Sequence, residues 1–168
     1  MHIRCVAILL LSLPAAAIAS DSLCQPTEVA YFSCHTTSGK QIALCGSPLK
    51  REAKDTEQFR HGNGYLQYRF GTKQRIEKLY PEDKRASLEK FTGGYFLPAG
   101  AASASLSFLA GGYTYSVGIA GGVGVEAFSG VMVSRGFNTV ARLSCINEPV
   151  LETRHGLGFV ELTQLLGK

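Results

Sequence analysis

The residue types that most often carry enzymatic chemistry are present but dispersed. Three of the four histidines stand far apart, each beside turn or polar residues: His35, His61 and His155. Their spacing forms no His-Glu-x-x-His metal motif, and no Gly-x-Ser-x-Gly nucleophile elbow occurs in the chain. We therefore expect surface histidines and predict no catalytic residue, no metal site and no cofactor.

A glycine-rich stretch has the spacing of a dinucleotide-binding motif. Residues 122–127 read Gly-Val-Gly-Val-Glu-Ala, the alanine-ended form of that fingerprint. The motif works only where a strand leads into a helix whose N-terminus holds the pyrophosphate, and no helical pattern follows here. We interpret the stretch as a glycine-rich β connection.

Carboxylates are the remaining candidates for catalysis, because two of them suffice for glycan hydrolysis. The candidates are Glu28, Glu77, Glu126, Glu148, Glu152 and Glu161. No spacing selects a pair among them. An envelope glycan hydrolase is therefore the alternative function and not the leading one. Tyrosines could instead line a binding surface, although ordinary sheet packing is the commoner role of these four: Tyr65, Tyr68, Tyr113 and Tyr115.

The N-terminus has the composition of a secretory signal. A basic start with His2 and Arg4 precedes an apolar run, and small residues end at Ala19 in an A-x-A pattern. We expect residues 1–19 to be removed and residues 20–168 to form one β domain, with no membrane span in the mature chain. The mature chain would carry 16 basic and 13 acidic side chains. This balance gives no support for nucleic-acid binding.

Four cysteines remain after cleavage, and an even number in an exported chain favours two disulfides. The pairing depends on the first hairpin. If Gly39 is the left-handed residue after a type I turn, Cys34 faces inward, where it could meet Cys145 and leave Cys24 for Cys45. If residues 39–40 form a two-residue turn, Cys34 lies opposite Cys45 and Cys24 pairs with Cys145.

Alternating apolar residues predict strands along most of the mature chain. The clearest is GYLQYRFG at 64–71, where Leu66, Tyr68 and Phe70 share one face. The strands are separated by turn residues, whereas a helical spacing appears only at 158–167. Segments 47–63 and 81–102 are expected to be irregular connections. The prediction is an all-β fold of about eight short antiparallel strands, in a small barrel or sandwich, with a short C-terminal helix.

Several short stretches carry a resemblance to known proteins. In chain order they are YFSC, IALCGS, GYLQYRFG, GGYTYSV, SGVMVS and VARLSC. With them the chain resembles a group of small secreted bacterial proteins of unassigned function, associated with the Gram-negative envelope. The resemblance spans Cys24 to Cys145, and GYLQYRFG is its most specific part. It implies export and a single β domain, but no activity.

The layout is also remotely similar to the periplasmic and membrane-bound inhibitors of C-type lysozyme. Those small β barrels have one cysteine in the first strand and another near the end, and they insert a Ser/Thr-Gly-x-x-Tyr loop into the lysozyme cleft. Residues 112–115 of this chain have the Gly-x-x-Tyr spacing but follow a glycine, and residues 92–96 have the hydroxyl but end in Phe. The binding residues implied are Thr92, Gly93, Tyr95, Gly112, Tyr113 and Tyr115.

These observations predict a non-enzymatic periplasmic or secreted domain that binds a protein or envelope component. Segments 92–98 and 118–124 are the expected contact loops, because loops on a rigid scaffold commonly carry binding function. The partner would be a lysozyme-like hydrolase, or a toxin if the protein is a periplasmic immunity protein. A self-associating structural envelope protein is a further alternative.

Overall fold

A computed structural model describes residues 22–49, 64–151 and 157–167. The predicted signal segment, most of the polar stretch 47–63, and His61, Glu152 and His155 lie outside these ranges. None of the helices within them has the length and apolar character needed to cross a bilayer.

The described residues form ten strands, one 3₁₀ turn at Ser87–Lys90 and one α-helix. Sheet I has the order β10-β1-β2-β3-β4, and sheet II has the order β5-β6-β7-β8-β9, with every pairing antiparallel. The strands of sheet I are β1 Val29–His35, β2 Gln41–Gly46, β3 Leu66–Gly71, β4 Ile76–Tyr80 and β10 Val150–Leu151. Those of sheet II are β5 Thr92–Phe96, β6 Ala101–Ala110, β7 Tyr113–Gly122, β8 Val125–Arg135 and β9 Asn138–Ser144.

The first hairpin adopts the register that faces Cys34 inward. Gly39 has a φ of 74°, and Cys34 lies opposite Ile42 while Phe32 lies opposite Leu44. Glycine suits this position because a side chain is strained in the left-handed region. The alternative register, with Cys34 opposite Cys45, is wrong, since Cys45 pairs with Ala30.

Two disulfides follow from that register. One joins Cys34 to Cys145 and the other joins Cys24 to Cys45, with Cα–Cα distances of 5.6 and 5.3 Å. Cys145 directly follows β9 and forms a bridge pair with Thr36 at the end of β1. The first disulfide therefore ties sheet II to sheet I where the chain crosses between them.

The two sheets pack as a sandwich and do not close into a barrel. Aromatic rings fill the space between them: Phe108 of β6 stacks on Tyr115 of β7 at 5.0 Å and on Tyr80 of β4 at 4.4 Å. A helix, α1 Phe159–Leu166, buries Phe159, Leu162 and Leu166 in the same core, as its apolar spacing predicts. The core is thus built from both sheets and the helix.

The connection expected at 81–102 contains a strand. Thr92–Phe96 is β5, paired along its length with β6, so the sequence expectation of a loop at 92–98 is wrong for its first five residues. The second expected loop, 118–124, belongs to β7 up to Gly122. Glycine-rich composition indicates turns locally, but long-range pairing with neighbouring strands overrides it here.

Candidate functional site

The outer face of sheet I carries a buried ionic network under the N-terminal strap, which we define as residues 22–28. Arg69 of β3 donates hydrogen bonds to both carboxylate oxygens of Glu28, at 2.6 and 2.7 Å. The same guanidinium donates to the Leu23 carbonyl and to Oε1 of Gln67. The Glu28 side chain is 1% exposed. A bidentate, desolvated pair of this kind holds the two side chains in one relative orientation.

The protonation of Glu28 reflects these contacts. Burial alone would raise its pKa, but hydrogen bonds from Arg69, from the Gln25 N–H, from Tyr65 and from Lys84 lower the pKa to about 2. Glu28 is therefore ionised at neutral pH and fully engaged. Its role is to hold the strap on the sheet, together with the Cys24–Cys45 disulfide.

A shallow cavity of about 450 Å³ lies beside this network, lined by the strap, Gln67, Arg69, Lys73, Ile76 and Leu79. Its buried charge, Arg69, is already paired with Glu28. The Cys24 and Cys45 sulfurs lie near the Glu28 carboxylate, but both belong to a disulfide and do not act as thiolate ligands for a metal. The ion pair and the disulfide beside this cavity therefore account for the stability of the fold and do not indicate a catalytic or metal-binding site.

Three of the six candidate carboxylates are engaged in ion pairs in the described part of the chain. Glu28, Glu77 and Glu126 each form an ion pair with a basic side chain, namely Arg69, Lys40 and Arg142. A glycosidase needs two carboxyl groups facing one cleft, one of them protonated. Glu28, with its lowered pKa, has the opposite character.

Sheet II has no comparable ionic network over three of its five strands, because these strands carry no charged side chain. No Asp, Glu, Lys, Arg or His lies between Lys90 and Glu126, a range that includes all of β5, β6 and β7. The outer face of these strands presents mainly small and hydroxyl side chains, such as Ser107 and Ser116, whose Oγ atoms lie 2.8 Å apart. Depletion of charge marks the core of protein interfaces more reliably than overall hydrophobicity does.

One end of this uncharged region exposes large apolar side chains. We call Tyr95, Phe96, Leu97, Val123 and Val125 the apolar tip. Phe96 is 66% exposed, Leu97 64% and Val123 84%. The two connections that carry them meet, since the Val123 N–H donates to the Gly100 carbonyl at 2.7 Å. A cluster of exposed apolar groups on a folded domain indicates a contact surface.

An apolar groove of about 360 Å³ lies next to the tip, lined by Tyr95, Ile119, Val160 and small residues of β6 and β7. It exists because β6, β7 and β8 are 10, 10 and 11 residues long, whereas the strands of sheet I have at most seven. Ala102 and Gly121, paired at the end of β6 and β7, remain accessible where Ala104 and Leu106 are buried. The longer sheet therefore extends beyond the core.

Within the described part of the chain, the edge strand β5 of sheet II lacks protective side chains of its own. β5 reads Thr-Gly-Gly-Tyr-Phe, with no charge, no proline and no bulge in its pairing with β6. By contrast, β9 carries Arg142 and a bulged pairing with β8, and β4 carries Glu77 and Lys78. Proteins usually protect exposed edges with such charges and bulges.

The predicted site residues fall into separate places. Tyr95 lies in the apolar tip, whereas Thr92 and Gly93 lie at the start of β5, paired with Ser107 and Leu106. A side chain on Gly93 would overlap the Thr163 carbonyl, so this glycine permits close packing of α1. The large exposed side chains of the first expected contact segment therefore lie at its end, at Tyr95, Phe96 and Leu97.

The other three predicted residues lie at the opposite end of sheet II. Gly112 belongs to the turn between β6 and β7, and Tyr113 is half-buried beneath Arg135, whose guanidinium carbon lies 5.8 Å from the ring centre. Tyr115 is partly buried and packs against Phe108 and Tyr68 of the core. The structure therefore does not bring Gly112, Tyr113 and Tyr115 together with Tyr95.

The sequence analysis did not single out Phe96, Leu97 or Val123 as candidate binding residues. The two expected contact segments, 92–98 and 118–124, do contain them. The uncharged range between Lys90 and Glu126 was the available signal. Comparison with known proteins adds no assignment: no family model, curated protein or solved structure matches the chain.

Proposed function

We propose that the mature protein is an exported, non-enzymatic binding domain of the bacterial periplasm, and that it engages a protein or envelope component through the apolar tip. The observation that carries the proposal is the exposure of Phe96, Leu97 and Val123 at one end of an uncharged sheet. Leaving such side chains in water costs free energy that a partner surface would recover.

The scaffold is suited to this role. Two disulfides indicate an oxidising, non-cytoplasmic environment. The disulfide Cys34–Cys145 joins the sheets, and the ionic network fixes the strap, so the tip is presented on a rigid body. Rigid presentation reduces the entropy lost on binding.

Site-specific photo-crosslinking in cells of the source organism tests the proposal. A benzophenone amino acid placed at Leu97 or Val123 should give an adduct of discrete mass in the envelope fraction. Leu109 provides a matched control, since it is 66% exposed and lies at the opposite end of sheet II. Equal crosslinking from Leu109, or no adduct from either tip position, would reject the tip as the contact surface.

The layout resemblance makes a lysozyme-like hydrolase one partner to assay. Since Tyr115 is partly buried and its ring packs against Phe108, an inhibitory contact would involve the apolar tip and not the turn at Gly112. Mature protein in large molar excess should then lower lysozyme activity on cell walls, and a Leu97→Lys variant should not. Unchanged activity with the wild-type protein would remove this partner while leaving the binding proposal intact.

A further inference from the structure

We propose that the occupant of this surface is an extended, uncharged segment of a partner polypeptide, which adds to the free edge of β5 as a sixth strand of sheet II. Apolar side chains at alternate positions of the segment would lie on the inner face of the sheet, beside Tyr95. This inference rests on the proposed function and specifies the chemistry of its partner.

The backbone of β5 supplies the main attraction. Each residue of an antiparallel strand directs its N–H and C=O to one side, so alternate residues of β5 bond to β6 and the others face outward. An added strand would satisfy these outward groups with main-chain hydrogen bonds, as in known cases of strand addition. β5 itself contains no charge, proline or bulge, and within residues 22–49, 64–151 and 157–167 no strand pairs with its outer edge.

The inner face beside β5 supplies selectivity. A strand paired with β5 would lie about 4.8 Å from it, on the side away from β6, so its inward side chains would lie beside Tyr95 and not in the groove, which is on the β6 side of that ring. Because successive side chains alternate between faces, every second residue of the segment would be apolar. Uncharged residues would be favoured, since no charged side chain between Lys90 and Glu126 could pair with a charge on the segment.

The helix argues against a second copy of the chain as the occupant. α1 lies along the inner face of β5, with Thr163 against Gly93 and Val160 near Tyr95. Two-fold pairing of β5 with itself would place two such helices about 5 Å apart, whereas packed helices need 8–10 Å. An extended peptide carries no such bulk and meets no helix of its own.

The strand edge also argues against a lipid bilayer. Insertion of the apolar tip into hydrocarbon would carry the outward backbone groups of β5 with it, at a cost of several kcal/mol for each unsatisfied group. A polypeptide pays no such penalty because it supplies matching donors and acceptors. The observations therefore favour a peptide over a membrane.

Selection from a phage-displayed library of random linear peptides against the immobilised mature protein supplies the probe. Enriched sequences should lack charge and alternate apolar with polar residues. The selected peptide is then synthesised in two forms, N-methylated at either the odd or the even positions. Strand addition predicts that one form loses affinity by about tenfold or more and that the other binds like the parent, because only one set of N–H groups faces β5.

Proline variants of the edge give the reciprocal measurement. Of Gly94→Pro and Tyr95→Pro, the one that removes an outward N–H should keep the wild-type melting temperature and lose peptide binding. If both variants unfold, the methylation pattern alone decides.

Three outcomes of the peptide experiments would overturn strand addition: no enrichment, charged consensus peptides, or equal loss of affinity from both methylated forms. Crosslinking from Leu97 would still uphold the proposed function in each case. A dimer in sedimentation that the tolerated proline variant abolishes would identify a second copy as the occupant and also overturn it.

Discussion

The outer faces of the two sheets differ in their charge and in how far the rest of the chain covers them. Sheet I has a charged side chain, Arg69, in the middle of its outer face, and the chain covers it with the strap and its buried Glu28 partner. Sheet II has no charge over three strands and leaves large apolar groups uncovered at its tip. The first arrangement is complete within the molecule, whereas the second leaves apolar side chains exposed, and these are the side chains that the proposed partner would cover.

This difference separates residues that maintain the fold from residues available for binding. Contacts of the strap are long-range, covalent and desolvated, so changes there should alter the free energy of unfolding. Side chains of the apolar tip have few internal contacts, so changes there should alter association and little else. The following predictions test that separation, beginning with the largest effect.

Loss of the Cys34–Cys145 disulfide should have the largest effect on stability. The two cysteines are separated by 111 residues, and closing a loop of that size restricts the unfolded chain by about 4–5 kcal/mol in the chain-entropy account. A Cys34→Ser, Cys145→Ser double variant should therefore show a much lower midpoint in urea. The matched Cys24→Ser, Cys45→Ser variant removes a disulfide whose cysteines are 21 residues apart, and it should lose about 3 kcal/mol. A larger loss from the shorter loop would contradict this order.

Breaking the ion pair of the strap should come next. Glu28→Gln leaves the Arg69 guanidinium buried without its carboxylate, and removing one partner of a buried pair costs about 3–5 kcal/mol. Urea unfolding with both disulfides intact measures the change. Glu126→Gln is the control, because Glu126 pairs with Arg142 on the surface, where such pairs contribute about 0–1 kcal/mol. Similar losses from both variants would refute the contrast between the two sheets.

Acid should weaken the same region. The pKa of Glu28 falls from 4.5 to about 2 on folding, so its ionised form stabilises the native state by ~3 kcal/mol at neutral pH. That contribution is complete above the unfolded pKa and is lost as the pH falls from about 5 toward 2. Thermal unfolding at several pH values should show this loss in the wild type. Glu28→Gln, which cannot titrate there, should show a flatter profile between these limits, and parallel profiles would exclude Glu28 as the source.

The ionic network under the strap could not be predicted from the sequence, whereas the neighbouring hairpin could. Side-chain alternation and one glycine were enough to predict the first hairpin, because turn geometry sets the register over a few residues. Glu28 and Arg69 are 41 positions apart, and no local pattern distinguishes them from other acids and bases of the chain. Their pairing depends on which strands become neighbours, and that order is a property of the whole sheet.

The conformation of β5 and the exposure of the apolar tip were also not predictable from the sequence, for a different reason. β5 was expected to be a loop because two glycines and Pro98 are typical of connections. Its strand conformation comes from pairing with β6 and from α1, whose close approach requires Gly93. Segments 92–98 and 118–124 were expected to contribute to binding; the connections that follow β5 and β7 are joined by the hydrogen bond from Val123 to Gly100, and whether they bind a partner stays a prediction. Their exposure could not be read from the sequence, because it depends on how far sheet II extends beyond sheet I.

The smallest effect on stability should come from charging the tip. Lysine at Leu97, which is 64% exposed, should change the free energy of unfolding by about 0.5 kcal/mol or less, because its side chain already lies largely in water. Lysine at Leu109, equally exposed at the other end of sheet II, should behave in the same way in urea. The two variants should differ only in crosslinking from Val123, which Leu97→Lys should abolish and Leu109→Lys should leave unchanged. A destabilisation above about 2 kcal/mol at Leu97 would mean that the tip belongs to the core, and the division between a self-contained sheet I and an incomplete sheet II would fail.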